Sequence, residues 1–124
     1  EMCIRDSDIA TPGIHTPVRM LSGGNVQKVL LGREIEAGRD VLIVSYPVRG
    51  LDINSSYMIY NLLDEERKRG TAIIFVGEDL DVLMALSDRI MVMADHRIAG
   101  ITDARTVTKD YLGSLMIDTK GQVI

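Results

Sequence analysis

The sequence predicts an α/β fold in which a mainly parallel sheet is flanked by helices. Two short apolar runs, at residues 41–44 and 72–76, have the length and β-branched content of fully buried strands. Helical patterns precede, separate and follow these runs, and such alternation is typical of a parallel sheet with crossover helices. The 124 residues are enough for one small domain, whose core must be aliphatic because aromatic residues make up only 4%.

The helices are predicted from apolar spacing and stop signals. After a loop that contains Pro12-Gly13 and Pro17, a first helix follows Ser22, with Val26, Val29 and Leu30 on one face, and ends near Gly38. A second helix covers about residues 55–69. Its expected buried positions are Met58, Ile59, Leu62 and Leu63. Its expected exposed ion pairs are Asp64–Lys68 and Glu65–Arg69, and Gly70 ends it.

The remainder of the chain predicts a short helix, a hairpin and a last helix. Leu80, Leu83 and Met84 mark the short helix. Residues 90–93 form a third strand, Asp95-His96 a turn, and residues 97–101 an antiparallel partner strand. Thr106 is expected to cap a final helix that extends to about residue 115.

Composition excludes several classes of function. The net charge of −4 predicts no general nucleic-acid-binding surface, and no apolar run approaches the ~20 residues that cross a bilayer. One Cys and two His cannot form a disulfide or a structural zinc site, which is consistent with a reducing, cytoplasmic setting. His15 lies in a Pro-rich loop and His96 in a turn, so both are expected to be surface residues.

Residues 1–7 differ from the rest of the chain. They have no apolar core and no cleavage pattern, so they do not form a signal peptide. The string from Met2 to Ser7 resembles translated sequencing adapter, and we expect residues 1–7 to be a non-native leader.

The strongest chemical feature is Leu21-Ser22-Gly23-Gly24-Asn25-Val26-Gln27-Lys28. Two glycines at a helix start let backbone amides approach an anion, and the helix dipole adds positive potential there. Ser22 adds a hydroxyl, and Asn25 and Gln27 add neutral amides. This pattern suits a phosphate, although Ser-Gly-Gly alone is more often a plain helix cap with flexible glycines.

In its context, this segment resembles the signature motif of ATP-binding-cassette (ABC) ATPases, in the form found in importers of simple sugars and nucleosides. The run at residues 41–44 stands where that family has its Walker B strand, and Pro47-Val48-Arg49-Gly50-Leu51-Asp52 resembles the segment ending in the D-loop. Residues 78–81 and 86–90 resemble the switch region and the strand after it. The resemblance implies a P-loop NTPase-like fold.

No Gly-x-x-x-x-Gly-Lys-Ser/Thr segment occurs, so the P-loop of the family is absent from this sequence. The resemblance therefore implies that residues 8–124 are a partial nucleotide-binding domain, from the signature motif onward. In a two-cassette polypeptide, this would be the second cassette.

The resemblance also implies that this domain's own catalytic positions are degenerate. The Asp-Glu pair that ends Walker B in the family is Ser45-Tyr46 here, and the switch His is Glu78. A hydroxyl is a weak Mg²⁺ ligand, and tyrosine is a poor base at neutral pH. An ionised Glu78 would repel a γ-phosphate. No catalytic group or metal site is expected to be intact.

The implied function is that of the ATP-binding component of an importer at the cytoplasmic face of the plasma membrane. Ser22, Gly23, Gly24, Asn25 and Gln27 would bind ATP held by a second nucleotide-binding domain, and Asp52 would link the two domains. ATP and Mg²⁺ belong to that dimeric assembly, and the fragment alone would bind and hydrolyse no ATP. Permease subunits are the direct membrane partners, and a solute-binding protein acts indirectly.

Two alternatives remain open. The chain could be a non-catalytic regulatory pseudo-cassette that acts by docking to a partner. Related signature motifs also occur in DNA-repair and ribosome-associated ATPases, although the acidic charge and the Arg49-Gly50-Leu51-Asp52 context favour the importer group.

Overall fold

The structure is a computed structural model that describes residues 9–117. These residues form two compact units, a first unit of residues 9–76 and a second unit of residues 77–117. The expected leader at residues 1–7 lies outside the described residues.

The first unit contains the predicted helix–strand–helix–strand order. A short 3-10 turn, Val18–Met20, precedes helix α1, Gly23–Glu36, and strand β1, Val41–Ser45. Helix α2, Ile53–Lys68, then connects β1 to strand β2, Ala72–Val76. The two strands pair in parallel, with Val41 opposite Ala72 and Ser45 opposite Val76. The predicted parallel pairing across a crossover helix is confirmed.

The core of the first unit lies between α1, α2 and one face of β1. Its buried members are Leu31, Leu42, Val44, Ile59 and Leu63. The predicted inward face of α2 is confirmed, but the face predicted for α1 is wrong. Val26 and Leu30 are 36% and 48% exposed, whereas Lys28, Leu31 and Gly32 are buried, because α1 meets the core through Leu31 while Val29 lines a groove formed with residues 9–21.

The prediction that β1 and β2 are fully buried strands is also wrong. Leu42 and Val44 are buried, but Ile43 on the opposite face of β1 is 67% exposed. Ile74, its partner on β2, is 50% exposed. Successive side chains of a strand point to opposite faces, and only one face of this pair is covered by helices.

The two helices of the first unit end where glycine was expected. Gly38 follows α1 with φ +62°, and Gly70 follows α2 with φ +101°, values that residues with a Cβ rarely adopt. The Asp64–Lys68 ion pair on α2 is confirmed at 2.9 Å. The predicted pair Glu65–Arg69 is not formed. Arg69, the C-cap of α2, contacts Glu66 at 2.6 Å, and Glu65 is paired with Lys68 at 2.9 Å.

The second unit is a hairpin with two helices. Helix α3, Leu80–Leu86, precedes strand β3, Arg89–Ala94; strand β4, Arg97–Asp103, and helix α4, Lys109–Ile117, follow. β3 and β4 pair antiparallel around Asp95 and His96, both with positive φ, so the predicted turn and its partner strand are confirmed. The described strands thus form one parallel pair and one antiparallel pair, each a separate two-stranded sheet.

The core of the second unit forms on one face of this hairpin. Ile90, Val92, Ala104 and Leu112 are buried, and Leu80, Leu83 and Met84 pack against them. The prediction that Thr106 caps the last helix is wrong. The hydroxyl of Thr108 accepts a hydrogen bond from the Tyr111 amide at 3.3 Å, which is the contact expected of the capping residue.

Candidate functional site

The predicted anion-binding feature is a capped helix start, as the Ser-Gly-Gly sequence requires. We call residues 22–25 the signature turn. Ser22 is the N-cap of α1, with extended backbone at φ −64° and ψ 157°. Its hydroxyl oxygen accepts hydrogen bonds from the backbone amide of Asn25 at 3.4 Å and from the Asn25 side-chain nitrogen at 3.0 Å. Because the oxygen accepts both bonds, its own hydrogen remains available for donation.

Asn25 also attaches the preceding loop to the helix. Its side-chain oxygen accepts a hydrogen bond from the backbone amide of Ala10 at 3.1 Å. The sequence predicts Asn25 only as a neutral amide for a phosphate. Its bridging role depends on a contact with Ala10, fifteen residues earlier in the chain, which no local pattern indicates.

The first turn of α1 presents backbone donors and contains no acidic residue of its own. Helix geometry gives the Gly23 and Gly24 amides no acceptor inside the helix, whereas that of Asn25 is taken by Ser22. Gly23 is exposed and Gln27 half-buried. The turn therefore offers two bare amides, one hydroxyl and the positive end of a 14-residue helix.

Asp52 is the N-cap of α2, as Ser22 is the N-cap of α1. Its carboxylate accepts hydrogen bonds from the Ser55 amide at 3.0 Å and from the Ser55 hydroxyl at 2.7 Å. The Ser55 amide, and then the Ser55 hydroxyl, lower the pKa of Asp52 below its ordinary value. Gly50, with φ +78°, forms the turn that brings the chain from β1 into this cap.

The signature turn lies directly against this second cap. A Cβ on Gly24 would lie 3.0 Å from the Ser55 hydroxyl oxygen and 3.9 Å from the Leu51 side chain. A Cβ on Gly23 would meet nothing within 4 Å. The structure thus brings together two motifs that are distant in sequence, and Gly24 is the residue that permits the close approach.

Ser45 and Tyr46 stand at the end of β1, both exposed. Tyr46 has φ +48°, an uncommon value for a bulky residue, and its amide donates to the Val76 carbonyl at 2.8 Å. The guanidinium carbon of Arg49 lies 5.7 Å from the centroid of the Tyr46 ring, within cation–π range. No feature of the sequence indicated this strained backbone or the stacked arginine.

Glu78 belongs to the second unit, where it is exposed just before α3. Its neighbour Asp79 is the N-cap of that helix and accepts hydrogen bonds from the amides of Asp81 at 3.0 Å and Val82 at 3.3 Å. Asp79 thus lies at the start of α3.

The remaining candidates form no site. His15 and His96 are both exposed, as predicted. Within residues 9–117, no three or more His, Cys, Asp or Glu side chains are grouped to hold a metal ion. In the same part of the chain, no helix combines the length and apolar character needed to cross a membrane.

Comparison with curated proteins identifies relatives over most of the chain. Guanosine import ATP-binding protein NupO of Bacillus subtilis is 40% identical over 113 residues, which are 91% of this chain and 22% of that protein. Galactose/methyl galactoside import ATP-binding protein MglA of Escherichia coli is 37% identical over 104 residues, or 84% of this chain and 21% of that protein. Over this matched length the chain is similar to import ATP-binding proteins. It spans about a fifth of the length of these relatives.

Solved structures of ABC cassettes share the fold. The post-hydrolysis dimer of the ATP-binding cassette MJ0796 bound to ADP and Pi matches with a TM-score of 0.73 at 21% identity, over 85% of this chain and 45% of that chain. The ADP conformation of MJ1267, an ATP-binding cassette of an ABC transporter, matches with a TM-score of 0.62 at 20% identity, over 82% and 39% respectively. No family model matches the sequence. The ABC fold predicted from the motifs is thus confirmed.

Proposed function

We propose that this chain is part of an ABC ATPase and contributes the signature motif and D-loop to a composite ATP site of an importer for simple sugars or nucleosides. The observation that carries the proposal is the capped signature turn, which faces solvent at Ser22 and Gly23 and packs against the Asp52 cap at Gly24. The relatives named for guanosine and galactose import support the solute class.

The chemistry of the proposed site is anion binding. ATP bound to a second nucleotide-binding domain would present its γ-phosphate to the Gly23 and Gly24 amides and to the hydroxyl hydrogen of Ser22. Asn25 would keep that hydroxyl oriented through its two hydrogen bonds to the Ser22 oxygen. Gln27, one turn further on, would add a neutral amide. Asp52 would contact the second domain while its carboxylate remains hydrogen-bonded to Ser55.

Magnesium fits the partner domain better than this chain's own strand end. Ser45 supplies one neutral oxygen, and a hard divalent cation prefers carboxylates. In this proposal Tyr46 likewise cannot act as the general base, and Glu78 cannot donate a hydrogen bond to the γ-phosphate. The intact assembly therefore has one competent and one degenerate site. Mg²⁺ would neutralise phosphate charge at the competent site.

The test is Ser22→Arg in the full importer subunit assembled with its partners. The arginine removes the cap and fills the space in front of the two bare amides, and we expect ATP turnover to fall at least about 100-fold. Asn61→Arg, on the exposed side of α2, adds the same charge away from the turn and should leave turnover unchanged. Unchanged turnover in Ser22→Arg would remove the composite-site proposal.

We further propose that the 124-residue chain alone binds no ATP appreciably, because it contains no P-loop. Calorimetric titration with Mg-ATP should give no measurable heat of binding at micromolar concentrations. A micromolar dissociation constant would contradict it.

The alternative is a regulatory pseudo-cassette that works by docking alone. The left-handed Tyr46 backbone and the Arg49 stacked on its ring favour it, because both occupy the end of β1 where the family places its catalytic carboxylates. Absence of turnover in the complete assembly with Mg-ATP, despite an intact partner P-loop, would select this alternative.

The implied location is the cytoplasmic face of the plasma membrane, where permease subunits would bind the cassette and a solute-binding protein would act through them. Co-purification of the complete subunit with its permease from membranes, and its release when the permease gene is deleted, would test this assignment.

A further inference from the structure

We propose that Ser55 is a positioning residue that ties the signature turn to Asp52, so that the two segments move as one piece. Ser55 lies outside every motif that the sequence displays. This inference holds without nucleotide, and only its consequence for ATP hydrolysis rests on the proposed function.

The Ser55 hydroxyl is hydrogen-bonded to the Asp52 carboxylate. It donates to one carboxylate oxygen at 2.7 Å, while the Ser55 amide donates to the other at 3.0 Å. Two bonds to one carboxylate fix the rotamer of the serine as well as the position of its backbone. The hydroxyl oxygen is therefore held at one place beside α1.

This fixed oxygen limits what residue 24 can be. A Cβ at Gly24 would lie 3.0 Å from the Ser55 oxygen and 3.4 Å from the Ser55 Cβ. A methyl group there would be accommodated only if the Ser55 side chain or α1 shifted by a few tenths of an ångström. A shift of the Ser55 side chain would disturb its 2.7 Å hydrogen bond to Asp52, so a change at the signature turn reaches Asp52 through one side chain.

Ser55 and Gly24 each have an adjacent residue of the same type that serves as a control. Ser56 carries the same hydroxyl one residue later, but it donates to the Asp52 carbonyl at 2.9 Å instead of the carboxylate. Gly23 is the adjacent glycine of the same turn, and a Cβ there would meet nothing within 4 Å. Ser56→Ala and Gly23→Ala therefore control for loss of a hydroxyl and for gain of a methyl group.

The experiment measures the carboxyl pKa of Asp52 by a carbon-13 NMR pH titration of the full 124-residue chain without nucleotide. Ser55→Ala should raise this pKa, because it removes a hydrogen bond to the charged form, and Ser55→Thr, which keeps a hydroxyl, should restore it. Gly24→Ala should raise it as well, although residue 24 does not touch Asp52. Gly23→Ala and Ser56→Ala should leave it at the wild-type value.

The decisive comparison is the double variant. When Ser55 is already alanine, Gly24→Ala should cause no further rise in the pKa of Asp52. A folded Gly24→Ala variant with the wild-type pKa would overturn the inference, and so would a second, additive rise in the double variant. General loss of stability does not produce this pattern, because it would affect both glycine variants.

A reverse measurement keeps the inference testable if Gly24→Ala does not fold. Asp52→Asn weakens the hydrogen bond that the Ser55 hydroxyl donates to residue 52, so the amide resonance of Gly24 should shift. Ser56→Ala should leave that resonance unchanged. An unmoved Gly24 resonance in Asp52→Asn would also overturn the link. Neither measurement uses ATP, so its failure is distinguishable from failure of the Ser22→Arg test.

Discussion

Asn25 holds the hydroxyl of Ser22 with two donors, its backbone amide at 3.4 Å and its side-chain nitrogen at 3.0 Å. The same side chain accepts from the Ala10 amide at 3.1 Å. One residue thus orients the capping serine and fastens the loop in front of it.

Asn25→Ala should loosen both attachments. The loss of partly exposed hydrogen bonds should destabilise the chain by about 0.5–1.5 kcal/mol, and the Ala10 amide should exchange faster with solvent. Urea unfolding and hydrogen exchange measure the two effects. Asn61→Ala, on the exposed side of α2, is the control and should change neither quantity. Wild-type exchange at Ala10 would show that the bond does not persist in solution.

Leu63→Ala should be among the most damaging substitutions in the first unit. Leu63 is 4% exposed and packs in the core with Ile59 and Leu42. Removing its side chain leaves a cavity and should cost about 2–5 kcal/mol in the free energy of unfolding. Ile53→Ala on the same helix removes a side chain that is 74% exposed and should change stability by less than about 0.5 kcal/mol. Equal losses for the two variants would contradict this packing of α2.

The ion pairs of Asp64 predict a pH dependence with a definite sign. Hydrogen bonds from Lys68 and then Arg67 lower the pKa of Asp64 below its ordinary value of 3.8. The carboxylate therefore contributes stability above pH 3.8, and that contribution is lost as the pH falls through the lowered pKa. Asp64→Asn should reduce the loss of melting temperature between about pH 7 and about pH 2.

The control for this titration is Asp40→Asn, which removes a carboxylate outside the ion pairs of α2. It should leave the difference between the melting temperatures at neutral and acid pH closer to that of the wild type. If both variants flatten the acid dependence equally, the Asp64 pairs are not its source.

Gly70→Ala should destabilise the chain because of its backbone angle. Gly70 has φ +101°, and a Cβ in this region costs about 1–2 kcal/mol even though nothing lies within 4 Å of it. Gly13→Ala also meets no neighbour and has no positive φ, so it should be neutral or slightly stabilising. Thermal unfolding of the two variants distinguishes backbone strain from crowding. A Gly70→Ala variant as stable as the wild type would contradict the left-handed assignment.

Local sequence signals predicted the order of the elements well. Strand β2 begins and ends where its apolar run does, and helix α2 begins at Ile53, within two residues of the prediction. Gly38 and Gly70 end their helices as expected because each needs a positive φ. These features depend on neighbours in sequence, which a single sequence displays.

Features that depend on distant contacts were not predictable. Burial of Lys28 and exposure of Leu30 follow from how α1 meets the core, and this choice overrides the apolar spacing. Thr108 instead of Thr106 caps α4, and nothing in the local pattern distinguishes two threonines of equal capping ability. The approach of Gly24 to Ser55 joins two helix starts, and no periodicity within either helix indicates it.

Each strand pair has one apolar face that is exposed to solvent. On β1 and β2 it carries Ile43 and Ile74, and on β3 and β4 it carries Met91 opposite Ile101, all at least 41% exposed. Water gains entropy when such patches meet, so molecules of this chain alone in solution should adhere to one another. Its sedimentation mass should rise with protein concentration and with added sulfate, and handling it at high dilution should keep it dispersed.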